Sequence, residues 1–257
     1  MDPEGLKDFL EGKVSLYNRP SFIETDPISI PHRFSSREDR EISGFLTALL
    51  SWGQRPVILR NCHSMLERMD LEPHDFILNH SPKERMRFTD FIHRTFNGED
   101  AKYLVRALQI IYREKGGLEG IFSSQYQTIG SMAGTISGVR SLLLSYGAPQ
   151  RTFKHIADPL KNSSAKRINM FLRWMVRKDK GGVDFGIWRE IPSSALCCPL
   201  DLHSGRVARM LGLLTVKQDN WKAVDELTGN LRMLDPADPV RYDFALYGLG
   251  INERFGY

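Results

Sequence analysis

Apolar residues recur along this chain at helical intervals, while strict alternation of apolar and polar positions over strand lengths is nearly absent, which predicts an all-α protein. Ser35-Ser36-Arg37-Glu38 reads as a capping box with Ser35 at the cap. It opens a helix whose apolar face is Ile42, Phe45, Leu46 and Leu49, ended by Trp52-Gly53. Pro56 starts the next, through Val57, Leu59, Met65 and Leu66, and Pro73 and Pro82 set off two short ones. Residues 100–113 are amphipathic through Leu104, Ala107, Leu108 and Ile111, with Gly116-Gly117 as the stop, and a further helix covers 129–144.

Residues 146–163 hold Gly147, Pro149 and Pro159 among mostly polar positions and read as a connector. The organisation expected is an N-terminal helical part over 1–150 and a C-terminal part over 151–257, together one folded unit. After the connector, serines cap a helix in which Ile168, Phe171, Leu172 and Met175 fall on one side and Lys166, Asn169 and Arg173 share the opposite side. Residues 181–199 are irregular. Asp201 caps a helix running to about Leu214, buried through Val207, Met210, Leu211 and Leu214, and helices over 220–231 and 238–249 complete the chain.

The net charge of +4 over 257 residues hides a local asymmetry, because nine basic and two acidic residues fall within 151–180. A basic stretch on an acidic body suggests a polyanionic partner. No apolar run reaches the roughly 20 residues a membrane span needs, and Met1-Asp2-Pro3-Glu4 is acidic where a signal peptide is basic, so a cytoplasmic protein without a membrane partner is expected. Cys62, Cys197 and Cys198 read as reduced thiols, too few for the four thiolates of an ordinary iron-sulfur cluster, and no metal or other cofactor is expected.

Two residues stand out chemically. Lys166 lies in the first turn of its helix, where the positive end of the dipole disfavours an ammonium, and a neutral amine is what a Schiff-base nucleophile needs. Asp201, held ionised by helix N–H groups, is suited to stabilising positive charge on a sugar ring. Each also has a bland reading, a solvated lysine and a simple cap.

The residues around them resemble a known family. Residues 199–213, Pro-Leu-Asp-Leu-His-Ser-Gly-Arg-Val-Ala-Arg-Met-Leu-Gly-Leu, are similar to the V-D-T-H-x-x-R-V-x-x-R-L-G-L segment of the helix-hairpin-helix (HhH-GPD) DNA glycosylases. Residues 160–169 are similar to that family's hairpin, L-P-G-x-G-x-K-T-A-N, with Asn162 and Ser164 where it has glycines. Residues 49–54, Leu-Leu-Ser-Trp-Gly-Gln, look like its I-L-S-x-Q helix end. The resemblance implies two helical subdomains with a cleft between them, Asp201 as catalytic carboxylate, Lys166 as Schiff-base lysine and Gln54 as a contact beside a flipped nucleotide. It also implies further DNA contacts from Lys161, Asn162, Ser164, Arg167, Arg173, His203 and Arg206. The 35-position spacing from Lys166 to Asp201 and the glycine-poor hairpin are features of the archaeal 8-oxoguanine glycosylase branch.

The expectation is therefore a monomeric, nucleoid-associated repair glycosylase and AP lyase that excises a damaged base, an oxidised purine in the first instance, from double-stranded DNA. Arg151, Lys154 and Arg177 join the phosphate contacts, and Trp52, Trp174, Phe185 and Trp188 are stacking candidates, although the helical spacing of Trp174 favours a core position over a stacking one. Two readings compete: a non-catalytic nucleic-acid-binding protein on a degenerate glycosylase fold, and a small-molecule enzyme or structural helical protein with a soluble charged face.

Overall fold

The computed structural model describes residues 2–255 and is built almost wholly of helices. The chain divides into two compact units, one formed by Thr25–Ala157 and the other by Met1–Glu24 with Asp158–Tyr257. Among the described residues no helix is long and apolar enough to cross a membrane.

The continuous unit holds α2 (Arg37–Leu50), α3 (Arg55–Glu67), α4 (Pro73–Asn79), α5 (Gly98–Glu114), α6 (Gly117–Ile129) and α7 (Met132–Ser145). Its core is drawn from Phe45, Leu49, Leu104, Leu108, Ile111, Leu118, Phe122 and Ile136. Ser36, rather than Ser35, caps α2, because its hydroxyl accepts from the Asp39 amide three residues on. The helix over 117–129 is absent from the pattern reading: its second half, from Ser124 to Thr128, is polar and exposed or half-buried, and Gly116 ahead of it reads only as a stop. The sole paired strands among the described residues are β1 (Ile92–His93) and β2 (Phe96–Asn97), a hairpin turned at Arg94, whose φ is 56°.

At the head of α5 the fully buried Asp100 gathers the connector. Its oxygens accept from the Asn97 amide (2.9 Å) and the Thr152 hydroxyl (2.7 Å), and Arg151 approaches to 3.3 Å while also donating to the Thr95 carbonyl. Part of the charge of Arg151, expected on phosphate, is thus spent on fastening 150–155 to this helix.

The discontinuous unit holds α1 (Pro3–Tyr17), α8 (Lys166–Val176), α9 (Leu202–Met210), α10 (Trp221–Leu234) and α11 (Asp243–Ile251). The helix expected over 238–249 is a 3-10 turn, Pro239–Tyr242, followed by α11. α9 stops at Met210, which is exposed, and Leu211 at its C-cap is half-buried, so of the expected inward positions Val207 and Leu214 are the buried ones. α8 is buried on every side from Ile168 to Val176, and Trp174 within it is fully enclosed.

α1 is fastened to the residues that flank α11 by several polar ties. Lys13 and the Tyr17 hydroxyl both reach Glu253, at 2.8 and 2.5 Å, and Tyr242 donates to Glu11 at 2.8 Å. Beneath them Gly248 is required by space, since a Cβ there would collide with the Tyr17 ring. Gly248→Ala is expected to lower unfolding free energy by about 1–3 kcal/mol, the usual cost of overpacking. Urea denaturation followed by circular dichroism measures it.

Candidate functional site

The segment before α8 folds as a tight hairpin. A 3-10 turn, Pro159–Lys161, is closed by Asn162, whose amide donates to the Pro159 carbonyl at 2.8 Å with φ at 64°. Ser163 then pairs with Asn220, and Ala165 enters α8 with φ at 47°. These two left-handed residues do what glycine does without a Cβ penalty, which costs an ordinary residue about 1–2 kcal/mol. The serines do not cap α8 through their side chains, because the cap position falls on Ala165. Instead the Ser163 hydroxyl accepts from the Ala165 amide, and the Ser164 carbonyl accepts from the Asn169 side-chain amide at 3.2 Å.

This geometry delivers Lys166 at the first turn, one-third exposed, with Nζ 3.1 Å from Oδ2 of Asp201. Asp201 caps α9 in a full capping box. Its Oδ1 accepts from the His203 and Ser204 amides at 2.9 and 3.0 Å, and the Ser204 hydroxyl answers the Asp201 amide. Burial pushes the Asp201 carboxyl up, but the Lys166 charge, the Ser204 amide and the Lys166 hydrogen bond outweigh it, and the net result lies below the usual carboxylate range. Two residues 35 positions apart thus form one ion pair, open on one side to solvent.

The other expected contacts separate into three groups. Lys161 and Asn162 are exposed on the hairpin, and Ser164, Arg167, His203 and Arg206 are half-buried around the pair. Burial brings the Arg167 guanidinium down to about 10. Gln54 lies in the other unit, exposed at the cap of α3, where its carbonyl accepts from Val57 and Ile58. Beside it Arg94 stacks on Trp52 at 4.9 Å, and Ile92 of the same hairpin is 68% exposed.

Arg173 and Arg177 do not face solvent, which removes them from the phosphate contacts. Arg173 donates to Asp184 (3.1 Å) and to Asp243, and its guanidinium lies 4.3 Å over the Phe244 ring. Arg177 meets Asp184 at 3.0 Å and Asp238 at 2.9 Å, and also Asp179. The reason is that α8 has no solvent-exposed face beyond its first turn, so a cation on it or at its C-cap must be paired inside. Trp174 and Trp188 are likewise buried, the latter edge-on to Phe171, and neither is a stacking surface.

Three further side chains lie near the pair, and of these Asp243 is not marked in the sequence. Asp243, at the head of α11, is 7% exposed. Burial pushes its carboxyl up, Arg173 pulls it down, Asp201 raises it and Lys166 lowers it, for a net rise to about 6. Asn169 is buried, and its Oδ1 has no hydrogen-bond partner among the described residues. Cys198 is a free, fully buried thiol, pushed well above its ordinary range by burial and by the charge of Asp243. The break between Tyr242 and Asp243 is the missing signal: read as one helix from Asp238, the segment gives Asp243 no special place. Among the described residues no group of three or more His, Cys, Asp or Glu is placed to hold a metal.

The raised carboxyl of Asp243 has a thermodynamic signature. The folded state holds this proton more tightly than the unfolded chain, so its stabilising contribution is full below about pH 4 and is lost as pH rises to about 6. Thermal melts across that window are expected to show wild type losing up to about 3 kcal/mol that Asp243→Asn does not lose, at 1.36 kcal/mol per pH unit.

One comparison with known proteins gives a family. A model described as a protein of unknown function, DUF2400, matches residues 26–252. No curated protein and no solved structure matches the chain. With nearly nine-tenths of its length inside that one match, the chain belongs to the DUF2400 family.

Proposed function

We propose that this protein is a DNA N-glycosylase with β-lyase activity on a damaged base, carried on a helix-hairpin-helix glycosylase type of fold. The observation that supports this most is the partly exposed ion pair of Lys166 and Asp201, presented by a tight hairpin on one side and a helix cap on the other. Such a pair joins a primary amine to a carboxylate at the distance proton exchange requires.

In this reading the Lys166 amine attacks C1′ of the extruded nucleotide. The N–C1′ bond forms as the glycosidic bond breaks with its electron pair going to the base, which takes up a proton. Asp201 relays the ammonium proton to the departing base and is again a carboxylate when the C1′–O4′ bond opens, O4′ taking a proton from nitrogen, so that the cationic imine forms beside an anion. Loss of a C2′ proton expels the 3′ phosphate, and water releases the enzyme. Lys161, Asn162 and Ser164 on the hairpin, with Arg167 and Arg206 behind, are the DNA contacts of this reading. In the other unit Gln54, Trp52, Arg94 and the exposed Ile92 form a second DNA-facing group, in which the arginine meets phosphate and the apolar side chain meets unstacked bases.

Borohydride trapping on duplexes carrying a panel of lesions, oxidised guanine among them, tests the proposal. Wild type is expected to give a covalent adduct and Lys166→Gln none. Asp201→Asn is expected to fall by about two orders of magnitude, a usual loss for a general acid-base group. No adduct from wild type across the panel overturns the catalytic reading. Salt-dependent DNA binding that persists unchanged in Asp201→Asn would then favour a non-catalytic binding protein.

A further inference from the structure

The inward face of α8 carries three polar residues in one row, Lys166, Asn169 and Arg173, at positions separated by three and four. Two carboxylates meet the ends of this row. Asp201, from the head of α9, takes Lys166 at 3.1 Å, and Asp243, from the head of α11, takes Arg173. α9 and α11 are tightly packed against each other, with Gly250 of α11 so close to His203 of α9 that a Cβ there would lie 3.2 Å from the histidine Cβ. Asn169, between these two positions on the row, is buried and its Oδ1 has no hydrogen-bond partner among the described residues.

We infer that Asp243 is a positioning residue for the Lys166–Asp201 pair: held by Arg173 on the face of α8 that also carries Lys166, it is the second carboxylate of the site, and its ionisation adds a negative charge that favours a cation at Lys166. The groups facing it are Arg173 and Lys166 from α8, Asp201 from the cap of α9 and Cys198 from the segment before α9, while Asp184 occupies the other edge of Arg173. Its proton goes to solvent as pH passes about 6, whereas Asp201, held below its ordinary range, stays ionised. Two carboxyls whose environments drive them apart in this way divide the work, one a permanent anion and the other a switchable one. The functional half of this inference rests on the Schiff-base reading, since the cation it favours is the imine formed when nitrogen bonds C1′, the base departs with the glycosidic electron pair and the C1′–O4′ bond then opens, O4′ taking a proton from nitrogen.

The test separates the two. Surface lysines and Lys166 are reductively methylated with ¹³C-formaldehyde and cyanoborohydride, and the Lys166 signal, identified by its loss in Lys166→Gln, is followed from pH 4.5 to 8. The expected result is an inflection near pH 6 in wild type, absent in Asp243→Asn and retained in Asp201→Asn. A wild-type signal without that inflection, or one that survives in Asp243→Asn, overturns the inference. Should circular dichroism show Asp243→Asn unfolded, the Asp201→Asn and His203→Asn curves decide it: an inflection kept in both is assigned to Asp243, and one lost in either overturns the inference. In the activity arm, the ratio of adduct trapped on an abasic-site duplex by wild type to that trapped by Asp243→Asn is expected to rise about tenfold from pH 5 to 7, in line with one charge acting at about 1.4 kcal/mol. If wild type traps nothing at any pH, the Schiff-base reading falls while the methyl signal still decides where Asp243 acts.

Discussion

Arg173 and Arg177 have left water almost completely, and a guanidinium in that position is tolerated only with carboxylates at hydrogen-bonding distance. Four aspartates supply them, from the irregular segment after α8, from the turn before α11 and from α11 itself. Asp184 is shared by both arginines and is itself shielded from solvent. The face of Phe244 closes the array, lying beneath both guanidinium planes. Attraction of this kind repays its desolvation only when geometry is met at every member, so the network demands a particular arrangement of three chain segments around α8.

That demand reaches the functional pair. Fixing Asp243 against Arg173 sets the start of α11, and α11 packs on α9, whose cap is Asp201. The hairpin sets the other partner: left-handed Asn162 and Ala165 bring Lys166 to the first turn at the one end of α8 that solvent reaches. The pair is thus rigid behind and open in front. The chemistry proposed for the pair would use both properties, because reacting groups must be held while a substrate enters from one side.

The sequence makes the helices legible wherever one side is apolar and the other polar, as in α2 and α5. It is silent where that contrast fails. α6 carries a weak pattern, and α8 violates the one-face assumption, since it is buried all round and its arginines point inward. From spacing alone those arginines read as a solvated basic stripe, and a basic cluster says nothing about aspartates 61 or 70 residues away. Lys166 and Asp201 are visible as a first-turn lysine and a helix cap, but their meeting at 3.1 Å depends on how α8 and α9 dock. Asp243 is hidden for a local reason, the change from 3-10 turn to α-helix at Tyr242, which no proline or glycine marks.

The ties between α1 and the residues that flank α11 also set an order of events during synthesis. Glu11 leaves the ribosome early and must wait for Tyr242, 231 residues later, before its hydrogen bond can form. In the interval Thr25–Ala157, a continuous stretch with its own core, is complete and free to fold. α1 meanwhile carries Leu10 and Val14, both buried in the finished protein, with nothing to cover them. The emerging chain therefore holds a folded middle behind an unsatisfied amphipathic helix, and the stage at which it is most exposed to chaperones or to misassembly comes just before α11 arrives.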